Sequence, residues 1–404
     1  MGFKGFSGNF NLCVCLVAST LVMGCSSLSK IKVDEESGRE MNLSCSSNVR
    51  EQVDGLVHPL IRNQNTPGMV VAVLNPEGNS AVYSYGHTDG TRQNKMSGDT
   101  LFAVGSVTKG FTAELTALLV NDGVFSWDDT LQDLLPSDIA LSPDAQKITL
   151  RQLVSHTSGL PRQMMNYNVL SKFVAYLFDG ENFYGDLDNG RFLEYLSEFK
   201  NGSDGSVIYS NLGYALLDYI IELKTERSAE ALVSERILQP LGMTQTTFAP
   251  QYSNGFDQRA IGHAGDQPKF IRRGKAVPDW HFSKYMVGAA SAYSTANDLI
   301  KYLNKHIYGT GIAKLDAAFR EAPTLGLAWM QEELNGQKIT YQSGFIAGYS
   351  SFIALDEKHK TAMVVLQNSF NWNNEVGGRI LLNMARDIEY SKTCPVPPSK
   401  MASH

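Results

Sequence analysis

The run Phe102-Ala103-Val104-Gly105-Ser106-Val107-Thr108-Lys109 sets a hydroxyl and an amine three residues apart. Phe111, Leu115, Leu118 and Leu119 continue it with helical spacing, which predicts a helix with Ser106 and Lys109 on one face. Serine is a weak nucleophile unless a base lies within hydrogen-bond reach, and a partly desolvated lysine can be that base. A serine in the first turn of a helix also sits among free N–H groups that favour developing negative charge. The chemistry indicated is nucleophilic attack through the Ser106 hydroxyl. By themselves the same residues also describe a serine-capped helix start followed by an exposed lysine.

The surrounding chain must position that pair. It has 404 residues, 43% hydrophobic and 19% charged, with a net charge of -6. That supports a full core in one large domain or two interleaved lobes, and gives no reason to expect nucleic acid as a partner. Residues 46–63 carry an apolar stripe of helical period, and Met69-Val70-Val71-Ala72-Val73-Leu74 reads as a buried strand that pairs with residues 80–85 across a turn. Residues 125–284 read as short helices and long loops. A helix over about 294–306 follows, then strand-like runs at 325–332, 337–342, 349–355 and 361–367, and a helix over about 374–391. A sheet begun by an N-terminal hairpin is thus completed by C-terminal strands, with a helical insert between and terminal helices over one face.

The beginning of the chain reads as a targeting segment. Lys4 precedes an apolar stretch at 12–24 that is short for a bilayer span and fits a signal peptide. Leu21-Val22-Met23-Gly24-Cys25 resembles a bacterial lipobox, with Cys25 as the acylated residue and Ser26 suited to outer-membrane sorting. The expected divisions are a leader at 1–24, a tether at 25–45, a folded domain at 46–394 and a tail at 395–404. Within the domain, an α/β lobe takes about 46–124 and 285–394, and a helical lobe about 125–284. Cys45 and Cys394 remain beyond the leader and the anchor, and an oxidising compartment permits a bridge between them.

Five stretches in order resemble the class C β-lactamase and penicillin-binding serine hydrolase family. They are Ser106-Val107-Thr108-Lys109, Leu153-Val154-Ser155-His156-Thr157-Ser158-Gly159-Leu160-Pro161, Tyr209-Ser210-Asn211, Gln239-Pro240-Leu241-Gly242-Met243 and Gln342-Ser343-Gly344. The resemblance covers about 46–391. It implies an α/β (α+β sandwich) fold of the β-lactamase/transpeptidase type. An antiparallel sheet is covered by terminal helices lying side by side, which would bring Cys45 and Cys394 together as a disulfide, and a helical lobe completes the fold. It implies Ser106 as the acylated nucleophile, with Lys109 and Tyr209 managing its proton. Asn211 would donate to a substrate carbonyl, and the N–H groups of Ser106 and Phe345 would form the oxyanion hole. Gln342, Ser343 and Gly344 would line the substrate strand, with Gln163 a further cleft candidate. His156 and Pro240-Leu241-Gly242-Met243 are expected to be structural.

One position departs from the family's pattern. Where lysine or histidine usually opens the strand motif, this chain has Gln342, which removes a cation expected to face a substrate carboxylate. Arg272, Arg273 or Lys275 could replace that charge, although the basic run is also the composition of a solvated loop. The expectation is a lipid-anchored serine hydrolase of the bacterial cell envelope, without metal or cofactor, acting on small-molecule or peptide substrates such as peptidoglycan-derived peptides or β-lactams. A carboxylesterase preferring uncharged acyl donors and a catalytically silent binding protein are the alternatives. Neither a G-x-S-x-G elbow, an H-E-x-x-H pair nor a P-loop occurs.

Overall fold

The structure is a computed structural model that describes residues 48–391, apart from 64, 65, 92, 165, 185–190, 254, 283, 373 and 374. The leader, tether and tail, with Cys25, Cys45 and Cys394, lie outside the described residues.

Helix α1 (Val49–Arg62) starts where the Asn48 side chain accepts from Arg50 N at 3.1 Å, satisfying a donor the helix itself cannot. Strand β1 (Gly68–Leu74) follows, buried throughout, and β2 (Ser80–Gly86) folds back against it. Alternation along β1 sends Met69, Val71 and Val73 to one apolar cluster and Val70, Ala72 and Leu74 to another. A strand covered on both faces reads as a continuous apolar run, which is why its sequence shows no polar alternation.

Beyond that sheet the short strand β3 (Phe102–Ala103) leads through the 3-10 turn Gly105–Val107 into α2 (Thr108–Asn121). The insert that follows contains α3 (Tyr167–Asp179), started by Asn166 accepting from Val169 N, and α4 (Asn211–Thr225), started by Ser210 accepting from Gly213 N. It returns at β4 (Tyr293–Ser294), which pairs with β3, Phe102 opposite Ser294. This ribbon clasps the neck of the insert.

The chain then forms α5 (Ala296–Tyr308), α6 (Ala313–Thr324), β5 (Met330–Leu334), β6 (Gln337–Ile346), β7 (Tyr349–Asp356), β8 (Thr361–Gln367) and α7 (Glu375–Ser391). The six-stranded sheet has the order β2-β1-β8-β7-β6-β5, antiparallel throughout. Helices α1 and α7 cover its outer face, joined by Gln52 Nε2 donating to Asp387 Oδ2 at 2.6 Å. Helices α2 and α5 and the insert pack on the inner face.

Three local expectations need correction. Ser106 lies in the 3-10 turn before α2, not in the helix proper. Lys109 is not the exposed lysine of the alternative reading, since every residue of α2 from Thr108 to Leu119 is buried. The strand expected at 325–332 begins only at Met330, because α6 runs to Thr324 and Gly326 and Ala328 then take positive φ values of 67° and 58°.

Candidate active site

Ser106 is held by a close approach of two backbones. Gly105 has φ 52°, and a Cβ there would lie 3.2 Å from Phe345 N. On the facing strand, a Cβ on Gly344 would lie 2.0 Å from Val104 O and 2.9 Å from Ser106 N. Only glycine permits that contact. It sets the N–H groups of Ser106 and Phe345 at one meeting point of the Ser106 turn and β6, an arrangement suited to an oxyanion. Ser351 Oγ fixes the turn from below, donating to Val104 O at 2.7 Å.

Lys109 is buried, and its Nζ donates to Ser106 Oγ at 3.4 Å and to Ala289 O at 2.7 Å. The same ammonium lies 5.0 Å from the ring centre of Tyr209 and 5.4 Å from that of Tyr214. Its carbonyl anchor is itself supported. In the turn Val287–Ala290, Gly288 O accepts from Thr112 Oγ1 at 2.8 Å and Gly288 N donates to Asp218 Oδ2 at 2.7 Å. Burial pushes the Asp218 carboxyl well above the usual carboxylate range.

Tyr209 reaches Lys109 from the loop before α4, and His156 holds that loop on both sides of it. His156 O accepts from Ile208 N at 2.8 Å and His156 Nδ1 accepts from Ser210 N at 3.1 Å. The imidazole packs on the Tyr209 ring, centres 4.4 Å apart. Burial first, then the charges of Lys109 and Arg162, push the His156 pKa down to about 3, so the ring is neutral. It therefore clamps Tyr209 rather than moving protons. Asn211 is buried beside this loop, and its Nδ2 donates to Tyr184 Oη at 3.3 Å. Gln163 is buried, while its neighbour Arg162 sets its guanidinium 5.2 Å from the centre of the Tyr209 ring.

The structure therefore brings Ser106, Lys109, Tyr209, Gly344 and Phe345 to one place, with Asn211 beside them. It does not bring Gln342 to the cleft. Alternation along β6 puts Gln342 on the face of Gly344 and Ile346, against α2. The side chain is 2% exposed, and with its amide turned so that both neighbours are satisfied, its nitrogen donates to Val107 O at 3.1 Å and its oxygen accepts from Trp329 Nε1 at 3.2 Å. Gln342 is a wall component and does not face a substrate carboxylate. Nor does the basic run supply a replacement through Arg273, which binds Asn371 Oδ1 at 2.6 Å and pairs with Asp266. Ser343 is part of an open strand edge: β5 pairs with β6 only as far as Tyr341, and among the described residues no strand covers the edge beyond it.

Sequence reasoning missed a pocket next to Phe345. It is about 60 Å³ in volume and walled largely by rings, including Phe173, Tyr184, Trp280, Phe345 and Trp372, with Arg162 and Gln267 among the polar residues. These residues come from widely separated segments, so no local pattern announces them. Among the described residues, no group of three or more His, Cys, Asp or Glu could hold a metal ion.

Comparison with known proteins agrees with this geometry. The profile of the Beta-lactamase family matches residues 50–385. The unguisins hydrolase ungD' of Aspergillus campestris is 26% identical over 88% of this chain and 66% of its own length. Protein flp of Staphylococcus aureus is 23% identical over 79% of this chain and 63% of its own. The chain thus spans just under two thirds of the length of these curated relatives. A class C beta lactamase from Rhodobacter sphaeroides superposes with a TM-score of 0.68 at 22% identity, over 85% of this chain and 100% of that one. The octameric penicillin-binding protein homologue from Pyrococcus abyssi gives 0.68 at 20% identity, over 83% and 77%.

Proposed function

This chain belongs to the beta-lactamase family of serine hydrolases, and we propose that it cleaves its substrates through an acyl-enzyme on Ser106. The observation that carries the reading is the 3.4 Å contact of Lys109 Nζ with Ser106 Oγ, with the Tyr209 ring against the same amine. Ser106 Oγ attacks the carbonyl carbon while its proton passes to the Lys109 and Tyr209 pair. The carbonyl oxygen becomes an oxyanion and is received by the N–H groups of Ser106 and Phe345. The pair returns the proton to the leaving alcohol or amine as its bond to carbon breaks, and water then releases the acyl group by the same steps in reverse. Asn211 and the open edge of β6 are placed to hold an extended substrate alongside.

We favour uncharged acyl donors, esters above all. Position 342 offers no cation to the cleft, and the guanidinium at the pocket is that of Arg162. That guanidinium also supports a second reading, in which Arg162 receives the carboxylate of a peptidoglycan-derived peptide or a β-lactam. Reaction with a fluorophosphonate probe would separate an enzyme from a silent binding protein. A panel of a short-chain ester, a D-Ala-D-Ala peptide and a cephalosporin then decides between the two enzyme readings. Ester turnover exceeding the others supports the first. Efficient turnover of the carboxylate substrates that is lost in Arg162→Ala supports the second.

For location, we propose a lipid anchor on Cys25 that holds the domain at the bacterial outer membrane facing the periplasm, with Cys45 and Cys394 bridged. The support is the sequence of the leader and the position of each cysteine just outside a terminal helix. Metabolic labelling with an alkynyl fatty acid should mark the wild type and not Cys25→Ala. Peptide mapping without reductant should recover Cys45 joined to Cys394, and free thiols at both would oppose the bridge.

A further inference from the structure

We propose that Asp218 is a positioning residue for Lys109: its carboxyl, sealed in the core as an uncharged acid, fixes the turn that anchors the lysine amine. This rests on the acyl-enzyme reading above and names a residue of α4 on which that chemistry depends.

The assignment starts from the anchor. Lys109 Nζ donates to Ala289 O at 2.7 Å, so the place of that carbonyl decides where the amine stands relative to Ser106 Oγ. Ala289 follows Gly288 in the turn Val287–Ala290, which packs on both α2 and α4. The two helices grip Gly288 from either end. From α2, Thr112 Oγ1 donates to Gly288 O at 2.8 Å, and from α4, Asp218 Oδ2 accepts from Gly288 N at 2.7 Å. A Cβ on Gly288 would lie 2.1 Å from Asp218 Oδ1 and 2.8 Å from Thr112 Oγ1, so only glycine lets both side chains close on the turn. Helix α4 starts at Asn211, just beyond Tyr209. Asp218 therefore ties the helix that follows Tyr209 to the carbonyl that holds Lys109, and keeps the two members of the proton pair in register.

The protonation state follows from the partners. Asp218 is 4% exposed, and among the described residues its Oδ1 has no hydrogen-bond partner. A buried carboxylate calls for donors at both oxygens, and a single backbone N–H suits the neutral acid better than the anion. Burial pushes this carboxyl well above the usual carboxylate range. Around it, Lys109 of α2 favours ionisation, while Glu222 of α4 and Glu230 of the short helix Ala229–Val233 oppose it. Tyr214 of α4, on which Glu114 of α2 also acts, is a further titratable neighbour, and the turn Val287–Ala290 carries no ionisable side chain. The consequence is chemical. A carboxylate here would stabilise Lys109 as the ammonium, and an ammonium cannot take the Ser106 proton. The uncharged acid holds the turn and leaves the amine able to accept.

The experiment pairs turnover with a proton count, and every variant is checked for an intact melting transition. Asp218→Asn keeps an acceptor for Gly288 N and cannot ionise, whereas Asp218→Ala removes the acceptor. With p-nitrophenyl acetate at pH 7, Asp218→Asn should keep kcat within about threefold of the wild type. Asp218→Ala should lower kcat about tenfold or more with KM little changed, the scale of a small misplacement of a catalytic group. Thr112→Val frees the other end of Gly288 and should also lower kcat, which gives the positioning claim a second variant. An acid that is protonated in the fold and ionised in the unfolded chain loses its proton on unfolding. Between pH 5 and 8, unfolding of the wild type should therefore release about one proton more than unfolding of Asp218→Asn. Wild-type stability, followed by denaturant unfolding, should accordingly fall more steeply as pH rises. Equal proton release would mean that the carboxyl is ionised in the fold, and a kcat loss in Asp218→Asn as large as in Asp218→Ala would mean that its charge is required. Either result overturns the proposal, as does an unchanged kcat in both Asp218→Ala and Thr112→Val, while Ser106-dependent hydrolysis still stands. A wild type that hydrolyses the ester no faster than Ser106→Ala would instead remove the acyl-enzyme reading and this assignment with it.

Discussion

The two faces of the sheet are built from different materials. On the outer face, α1 and α7 close over a cluster of aliphatic and aromatic side chains such as Val53, Val57, Val71, Phe352 and Ile380. On the inner face, Lys109, Glu114, His156 and Asp218 are buried among apolar residues. Each has specific partners: Glu114 Oε1, for example, accepts from Tyr302 Oη at 2.6 Å and from Trp329 Nε1 at 3.2 Å. Burying such groups is costly unless they are hydrogen-bonded, so the inner face gives up cohesion for geometry. The difference teaches that the outer face supplies stability and the inner face holds reactive groups still.

Changes that break this division on the inner side should have the largest effects. Lys109→Ala and Tyr209→Phe should each lower the acylation rate by about 10²- to 10⁴-fold, the range for general acid–base groups. Stopped-flow measurement with an activated ester reads this, and an effect under threefold would place the proton pair elsewhere. On the outer face, Ile380→Ala should cost about 2–5 kcal/mol of stability by leaving a cavity and leave kcat/KM near the wild-type value. Denaturant unfolding alongside ester turnover would show whether the two faces are independent.

A smaller effect is expected at Gln342. Gln342→Leu would leave Val107 O without its donor, at about 1–3 kcal/mol, while Trp329 Nε1 keeps Glu114 Oε1 as its acceptor. The relative turnover of neutral and carboxylate-bearing substrates should not change, and a marked change would return the side chain to the cleft. A further prediction concerns pH. With its pKa near 3 in the fold and near 6.5 in the unfolded chain, His156 binds a proton in the unfolded state first. Stability should therefore fall as pH drops below about 6.5 towards 3, with a slope of up to about 1.4 kcal/mol per pH unit from this one group. His156→Gln should flatten the slope between pH 6.5 and 5, and identical slopes would mean that the ring is not held neutral.

How much of this was legible in the sequence depended on whether the pattern was local. The β1–β2 hairpin, the terminal helices and the Ser106–Lys109 pair follow from short-range periodicity, and the structure has the elements and the pairing of side chains. Gln342 was misread because a motif position was treated as a role. Two-residue alternation alone sets it on the same side as Gly344, against α2. Helix α6 falls in a stretch between two expected elements, and positive φ values at Gly326 and Ala328 delay the strand that follows it. The ring-walled pocket was invisible because its residues run from Arg162 to Trp372, and only the fold brings them together.

The central claim is that Ser106 carries the acyl group. Intact-mass measurement after a slow-turnover acylating inhibitor tests it most directly. One adduct should appear on the wild type, map to the peptide containing Ser106 and be absent from Ser106→Ala. An adduct of the same mass surviving on a folded Ser106→Ala protein would contradict the account.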